Sequence, residues 1–376
     1  MAAATERAAA ALQTSQRVAV LLGAGISVGS GIPDFRSPGG MYDTLRPDLL
    51  TATPAQRALM ARDPTAVVSW TIFRENQLPY LELRRPFILG INEGRWKPSL
   101  AHYFLQELQD RGKLHRCYSQ NIDGLELMTG LDRSRVVTCH GSLGAISCEF
   151  CGKPADRDWF TSALRSSIRD IYGTDDSAPK TSTPISCPAC GRPGLKPSTV
   201  LYGRSLPGDF FEAMEADFPS TIDLVIVVGT SLTVSPANQI PCLAARDTPR
   251  IVVNMEPVGE DLGLDFASKR DIFLGGACDD SFANLLRELG WSSTFASKPA
   301  GERRQQHQQH QQHQQNAEQE VAIEALLVKI KDQARSKELG LGARRVLLSD
   351  MLDSLRHLEH EIDADQWLYE EQPLLN

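Results

Sequence analysis

The stretch from Val18 to Arg36 constrains the chain more than any other. Val18-Ala-Val-Leu-Leu22 is an unbroken apolar run, the pattern of a strand buried on both faces of a sheet. It breaks at Gly23-Ala24-Gly25, where absent side chains let backbone N–H groups close on a phosphate. Taken alone the turn is equally compatible with a plain tight turn, and Val28 stands where a third glycine would complete the G-x-G-x-x-G dinucleotide fingerprint. The segment beyond Ile26 and Ser27 adds chemistry. Gly31-Ile-Pro-Asp34-Phe35-Arg36 presents an acid, an aromatic ring and a guanidinium beside the cradle, on a proline-stiffened loop.

The 376 residues suffice for one large or two ordinary domains with a full core. A net charge of −8 argues against general nucleic-acid binding, which needs a basic face, and suits a basic peptide partner. No apolar run reaches the roughly eighteen residues that span a membrane. The alanine-rich N-terminal extension, 1–16, lacks a secretory apolar core and reads as a short capping helix or frayed end rather than a transit peptide. Eight cysteines without a signal peptide point to a reducing compartment, where grouped cysteines mean metal. The expected location is intracellular, cytoplasmic or nuclear rather than mitochondrial.

From Tyr42 to Trp96 the prolines at 47, 54, 64, 79 and 86, with Pro98 just beyond, divide the chain into short helices and loops. Ser99–Leu108 has one apolar helical face, and His102 on it reads as a core or surface histidine. The strand Leu114–Ser119 ends in Gln120-Asn121-Ile122-Asp123, amides and a carboxylate placed where open α/β sheets bind ligands; a helix-capping turn is the alternative. A short strand from Val136 leads into Cys139-His140-Gly141-Ser142, setting a side chain that titrates near neutrality in a strand-end loop. Two more strands, Asp223–Leu232 and Arg250–Asn254, carry Gly229-Thr230-Ser231 and Asn254-Met255-Glu256 at their ends, the position from which polar groups read ribose hydroxyls. Strands alternating with helices predict a parallel sheet with right-handed crossovers.

Cys148-x-x-Cys151 and Cys187-x-x-Cys190, each followed by glycine, form the strongest pattern in the chain. Four thiolates at this spacing close a tetrahedral zinc site with no open position, which makes the ion structural. Redox-active pairs are the rival, disfavoured by there being two. The long insert between the pairs carries a helix, read at Asp158–Ile171, and zinc holds together a module too poor in core to fold alone.

Over roughly 18–291 these motifs, in this order, resemble the sirtuins, NAD-dependent protein lysine deacylases. The implied fold is α/β: a doubly wound, parallel-sheet, Rossmann-like NAD-binding domain (about 17–40, 99–146 and 195–291) with a smaller domain (about 41–98 and 147–194) formed by a helical insertion and the four-cysteine zinc module. The resemblance implies that Gly23 to Ser27, Asp34, Phe35, Arg36, Gln120, Asn121, Ile122 and Asp123 bind NAD. Gly229, Thr230, Ser231, Asn254, Met255, Glu256 and Cys278 would hold its adenosine side. His140 would be the catalytic base, with Asn121 beside it. It implies deacetylation of acetyl-lysine proteins, histones or other basic segments among them, releasing nicotinamide and O-acetyl-ADP-ribose.

Val200, Leu201, Tyr202 and Gly203 fall in the segment that pairs with the substrate peptide. Leu201 and Arg204 depart from the family's usual aromatic and acid, and Ser198 from an acid often found there. Ser37-Pro-Gly-Gly-Met-Tyr-Asp-Thr-Leu45 resembles the main deacetylase branch and lacks the tyrosine–arginine pair, expected near Met41 and Thr44, of sirtuins that prefer acidic acyl groups. Mono-ADP-ribosyl transfer, longer-chain deacylation and a non-catalytic NAD-sensing module stay open; a dehydrogenase is disfavoured by the missing glycine. Beyond Trp291, 292–318 reads as a Gln/His-rich disordered linker and 319–376 as a helical hairpin that docks on the domain or joins chains.

Overall fold

The computed structural model describes residues 2–34 and 40–291. Phe35 and Arg36, the linker at 292–318 and the hairpin at 319–376 lie outside the described residues. Among those described, no helix is long and apolar enough to cross a membrane.

Among the same residues nine strands form two sheets: β1 (Val18–Leu22), β2 (Leu114–Ser119), β3 (Val136–Thr138), β4 (Gly141–Cys148), β5 (Pro154–Ala155), β6 (Leu195–Thr199), β7 (Leu224–Val228), β8 (Arg250–Asn254) and β9 (Asp271–Gly275). The larger sheet runs β3-β2-β1-β7-β8-β9, every pair parallel. β1 and β7, all five residues of each buried, pair residue for residue from Val18–Leu224 to Leu22–Val228. Counted within this sheet the order is 3-2-1-4-5-6, so the chain reverses direction across the sheet between β1 and β7. A crevice opens there, at the carboxyl ends of both strands.

Helices cover both faces. One face packs Leu12, Val20, Phe104, Ile226 and Phe282, with Phe104 stacked on Phe282 at 4.2 Å. The other packs Tyr118, Phe210 and Val227. The N-terminal extension is the helix Ala2–Thr14, whose Ala8, Ala9 and Leu12 sink into the first of these cores.

A further core joins Leu50, Met60, Phe73 and Leu83 of the helical segment to Ile146, Phe160 and Leu195, from or beside the antiparallel sheet β5-β4-β6. Two expectations need correcting here. Pro86 does not break the chain: Leu78–Asn92 is one helix that runs through it. Proline deprives the Glu82 carbonyl of its helical donor, and burial of twelve of that helix's fifteen residues offsets the loss. The helix read at Asp158–Ile171 spans only Arg157–Ser167, because Ile168 turns extended and buries its side chain in this core.

Candidate active site and metal centre

At the β1/β7 crevice the two glycine loops lock together. Gly23 N donates to the Val228 carbonyl and Gly25 N to that of Gly229, both at 2.8 Å. A Cβ on Gly25 would lie 2.7 Å from the Gly229 Cα, and Gly229 itself has φ +58°. Only glycine permits this approach, and backbone therefore forms the floor of the crevice. Above it lies a cavity of about 890 Å³.

Most of the sequence-predicted residues line that cavity. Gly23, Ala24, Gly25, Ile26 and Asp34 come from the loop after β1, and Gln120, Asn121 and Ile122 follow β2. Gly229, Thr230 and Ser231 follow β7; Asn254, Met255 and Glu256 end or follow β8; Cys278 opens the helix Cys278–Glu288. His140, Val200, Leu201, Tyr202 and Gly203 line it too. Ser27 and Asp123 do not: both are buried beneath the wall.

Their burial is organised. Ser27 Oγ–H donates to Asp123 Oδ2 at 2.9 Å and accepts from Asn121 Nδ2 at 3.2 Å. Asp123 also accepts from the Leu125 N–H at 3.0 Å. Burial nonetheless raises the Asp123 pKa above the ordinary carboxylate value, against both of those bonds.

His140 follows β3 and its partner is backbone. The ring Nδ1 lies 2.8 Å from the Gln120 carbonyl oxygen. A carbonyl only accepts, so Nδ1 carries the proton and Nε2 is the basic nitrogen of the neutral ring. Gln120 is fixed in turn: its Nε2 donates to the Leu22 carbonyl and to Thr230 Oγ1, each at 3.1 Å. One glutamine thus ties the ends of β1, β2 and β7 to the histidine.

The sequence model of the Sir2 family matches residues 23–236. The chain belongs to the Sir2 family. It is 35% identical over 292 residues to the NAD-dependent protein deacetylase sirtuin-2 of Danio rerio, a match covering 73% of this chain and 69% of that protein. It is 32% identical to the NAD-dependent protein deacetylase hst2-2 of Emericella nidulans, covering 88% of this chain and 85% of that one. A solved Sir2 enzyme superimposes with a TM-score of 0.59 at 28% identity, covering 77% of this chain and 99% of its own.

In this Sir2 chain the metal centre stands in the smaller sheet. The sulfur atoms of Cys148, Cys151, Cys187 and Cys190 all lie within 4.8 Å of one another. The two turns repeat one geometry: Gly152 N donates to the Cys148 carbonyl and Gly191 N to that of Cys187, both at 2.8 Å, with φ near +70° at each glycine. Four thiolates so placed can bind one zinc ion and use up its tetrahedral positions.

Two features of the Sir2 site escaped the sequence reading. His102 is a core histidine, as read, but it also braces the site. Its Nδ1 accepts from the Ser99 N–H at 3.1 Å, which puts the proton on Nε2, 3.4 Å from Ser27 Oγ. Burial lowers its pKa to about 4, so the ring stays neutral. Glu126, wholly buried close behind Asp123, has a carboxyl group with no hydrogen-bond partner among the described residues. Burial, aided by the Asp123 charge, raises its pKa to about 7, against the weaker pull of its own backbone N–H, the Ser119 hydroxyl and Arg133, none of them within good hydrogen-bond geometry.

Proposed function

We propose that the chain is an NAD-dependent protein-lysine deacetylase. The observation that carries this is His140, its basic nitrogen set by the Gln120 carbonyl, in one cavity with Asn121 and the glycine cradle. The cradle of Gly23 to Ile26 would hold the NAD phosphates, and Thr230, Ser231, Asn254, Glu256 and Cys278 would border its adenosine. Asn121 and Asp123, ordered through Ser27, would position the nicotinamide ribose. Bound NAD supplies the electrophile, the ribose carbon that the acyl oxygen of lysine attacks as nicotinamide leaves. His140 Nε2 takes the proton that must come off a ribose hydroxyl. Val200 to Gly203 would guide the peptide, and the zinc takes no part in the chemistry.

We assign the β1-centred sheet and its helices to the NAD-binding domain, and the core around the zinc cysteines to a small domain, the two meeting at the cavity. Metal-ligating cysteines suit a reducing compartment, cytoplasm or nucleus. A basic substrate segment, such as a histone tail, fits the net charge of −8.

The test is to incubate the purified full chain with NAD and an acetyl-lysine peptide while following nicotinamide and peptide mass. Nicotinamide released in step with acetyl loss supports the proposal. Release with ADP-ribose left on protein would replace it by ADP-ribosyl transfer. NAD bound with no release would replace it by a sensor.

A further inference from the structure

The rim of the cavity beside Tyr202 and Gly203 carries a cation, Arg204. Its guanidinium is held from two sides. Nε is 3.0 Å from Glu149 Oε1, and the group lies over the Trp70 ring at 4.8 Å. Its backbone is fixed as well, Arg204 N donating to the Leu201 carbonyl at 3.0 Å. Glu149 belongs to the first cysteine turn, so the arginine is anchored to the metal module itself.

Glu149 does not neutralise it. The carboxylate's other oxygen is 3.0 Å from Nζ of Lys196, whose side chain is only 1% exposed. One carboxylate is therefore shared between two cations, and it engages Arg204 through Nε alone. The Arg204 side chain is 48% exposed. Among the described residues its two terminal nitrogens meet no acceptor. A guanidinium clamped through Nε and one face, with its terminal N–H groups uncommitted among the described residues, is a preorganised fork for a carboxylate or phosphate.

Resting on the deacetylase reading above, we infer that Arg204 is a specificity residue, selecting acyl-lysine segments that carry an anionic side chain within a residue or two of the acyl-lysine. The overall charge of −8 does not oppose this, because at physiological salt charges more than about 8 Å away are largely screened. The anion is a carboxylate (Asp or Glu) or a phosphate on a modified residue, two sources of the same chemistry.

Fluorescence polarisation with labelled acetyl-lysine peptides and the full chain tests it. The peptides place Glu, Gln, Lys or phosphoserine at each of the two positions on either side of the acetyl-lysine. At one position Glu should bind about fivefold more tightly than Lys, the size of a partly exposed ion pair. A larger gain for phosphoserine than for Glu would identify phosphate as the anion. Arg204→Glu should reverse the order and Arg204→Gln should level it, with zinc content equal to the parent protein in the variant used. The same order in both variants, equal binding of all peptides, or no binding of any would overturn the inference. Acetyl loss is scored separately. Peptides that bind in this order yet keep their acetyl groups would sink the deacetylase reading and leave Arg204 standing.

Discussion

Ser27 and Asp123, 96 positions apart, share a buried 2.9 Å hydrogen bond in which the hydroxyl donates to the carboxylate. With Asn121 donating to the same hydroxyl and the His102 Nε2–H facing it, the direction of each bond is fixed. Asp123 accepts from Ser27 with one oxygen and from the Leu125 N–H with the other, so Asp123→Asn turns an NH2 group toward one of these donors, and a buried donor left unsatisfied costs about 2 kcal/mol. Turnover should fall at least about tenfold and NAD binding weaken, with secondary structure unchanged by circular dichroism. Wild-type turnover in this variant would remove Asp123 from the site.

His140→Ala deletes the proton acceptor of the proposed reaction. Nicotinamide release coupled to deacetylation should be lost, while folding and zinc content match the parent protein. Zinc loss in the variant would mean that His140 supports the fold.

The metal should matter to stability before chemistry. Cys187→Ser leaves three thiolates, and a strong chelator all four, clustered without their ion. The melting transition should drop, and activity should fall only as the folded fraction does. An inactive protein with an unshifted transition would contradict a structural ion.

At Gly229 a Cβ would sit 2.5 Å from the Ile26 nitrogen, at φ +58°. Gly229→Ala should cost about 2 kcal/mol or more in denaturant unfolding, since both strain and a backbone clash must be relieved. NAD affinity should fall with it. A neutral outcome would show that the loops separate freely.

Glu126 and His102 give stability opposite slopes with pH. Folded Glu126 keeps its proton to about pH 7, whereas the unfolded chain releases it near 4.5, so this contribution is lost as pH rises between them. Buried neutral His102 has its pKa lowered to about 4 from 6.5, so its contribution is lost as pH falls through that window. Glu126→Gln removes the first slope. The melting temperature of the variant relative to the parent should rise by about 5 °C from pH 4.5 to 7.5, because only the parent loses stability over that range. A pH-independent difference would show that Glu126 is charged in the fold.

Much of this was legible in the chain. The runs at Val18 and Leu224 could only be doubly buried strands, and the four cysteines announced their own geometry. What pattern could not supply was pairing between distant turns. Nothing around His102 marks it as the neighbour of Ser27, because that contact exists only once the helix at Leu100–Asp110 packs on the sheet. Likewise Arg204 read as a departure from the family, and its meaning depends on Glu149, 55 positions earlier. Pro86 misled for the converse reason: a local rule was outweighed by burial that no local window displays.

Because the order of the large sheet places β1 beside β7, the loops that grip one another at Gly25 and Gly229 belong to strands separated by two hundred residues of intervening chain. The floor that a ligand meets is complete only where the two loops are joined. Competence to capture a nucleotide must then arrive late in folding, after the far strand has docked, and bound nucleotide would serve as a reporter of finished assembly.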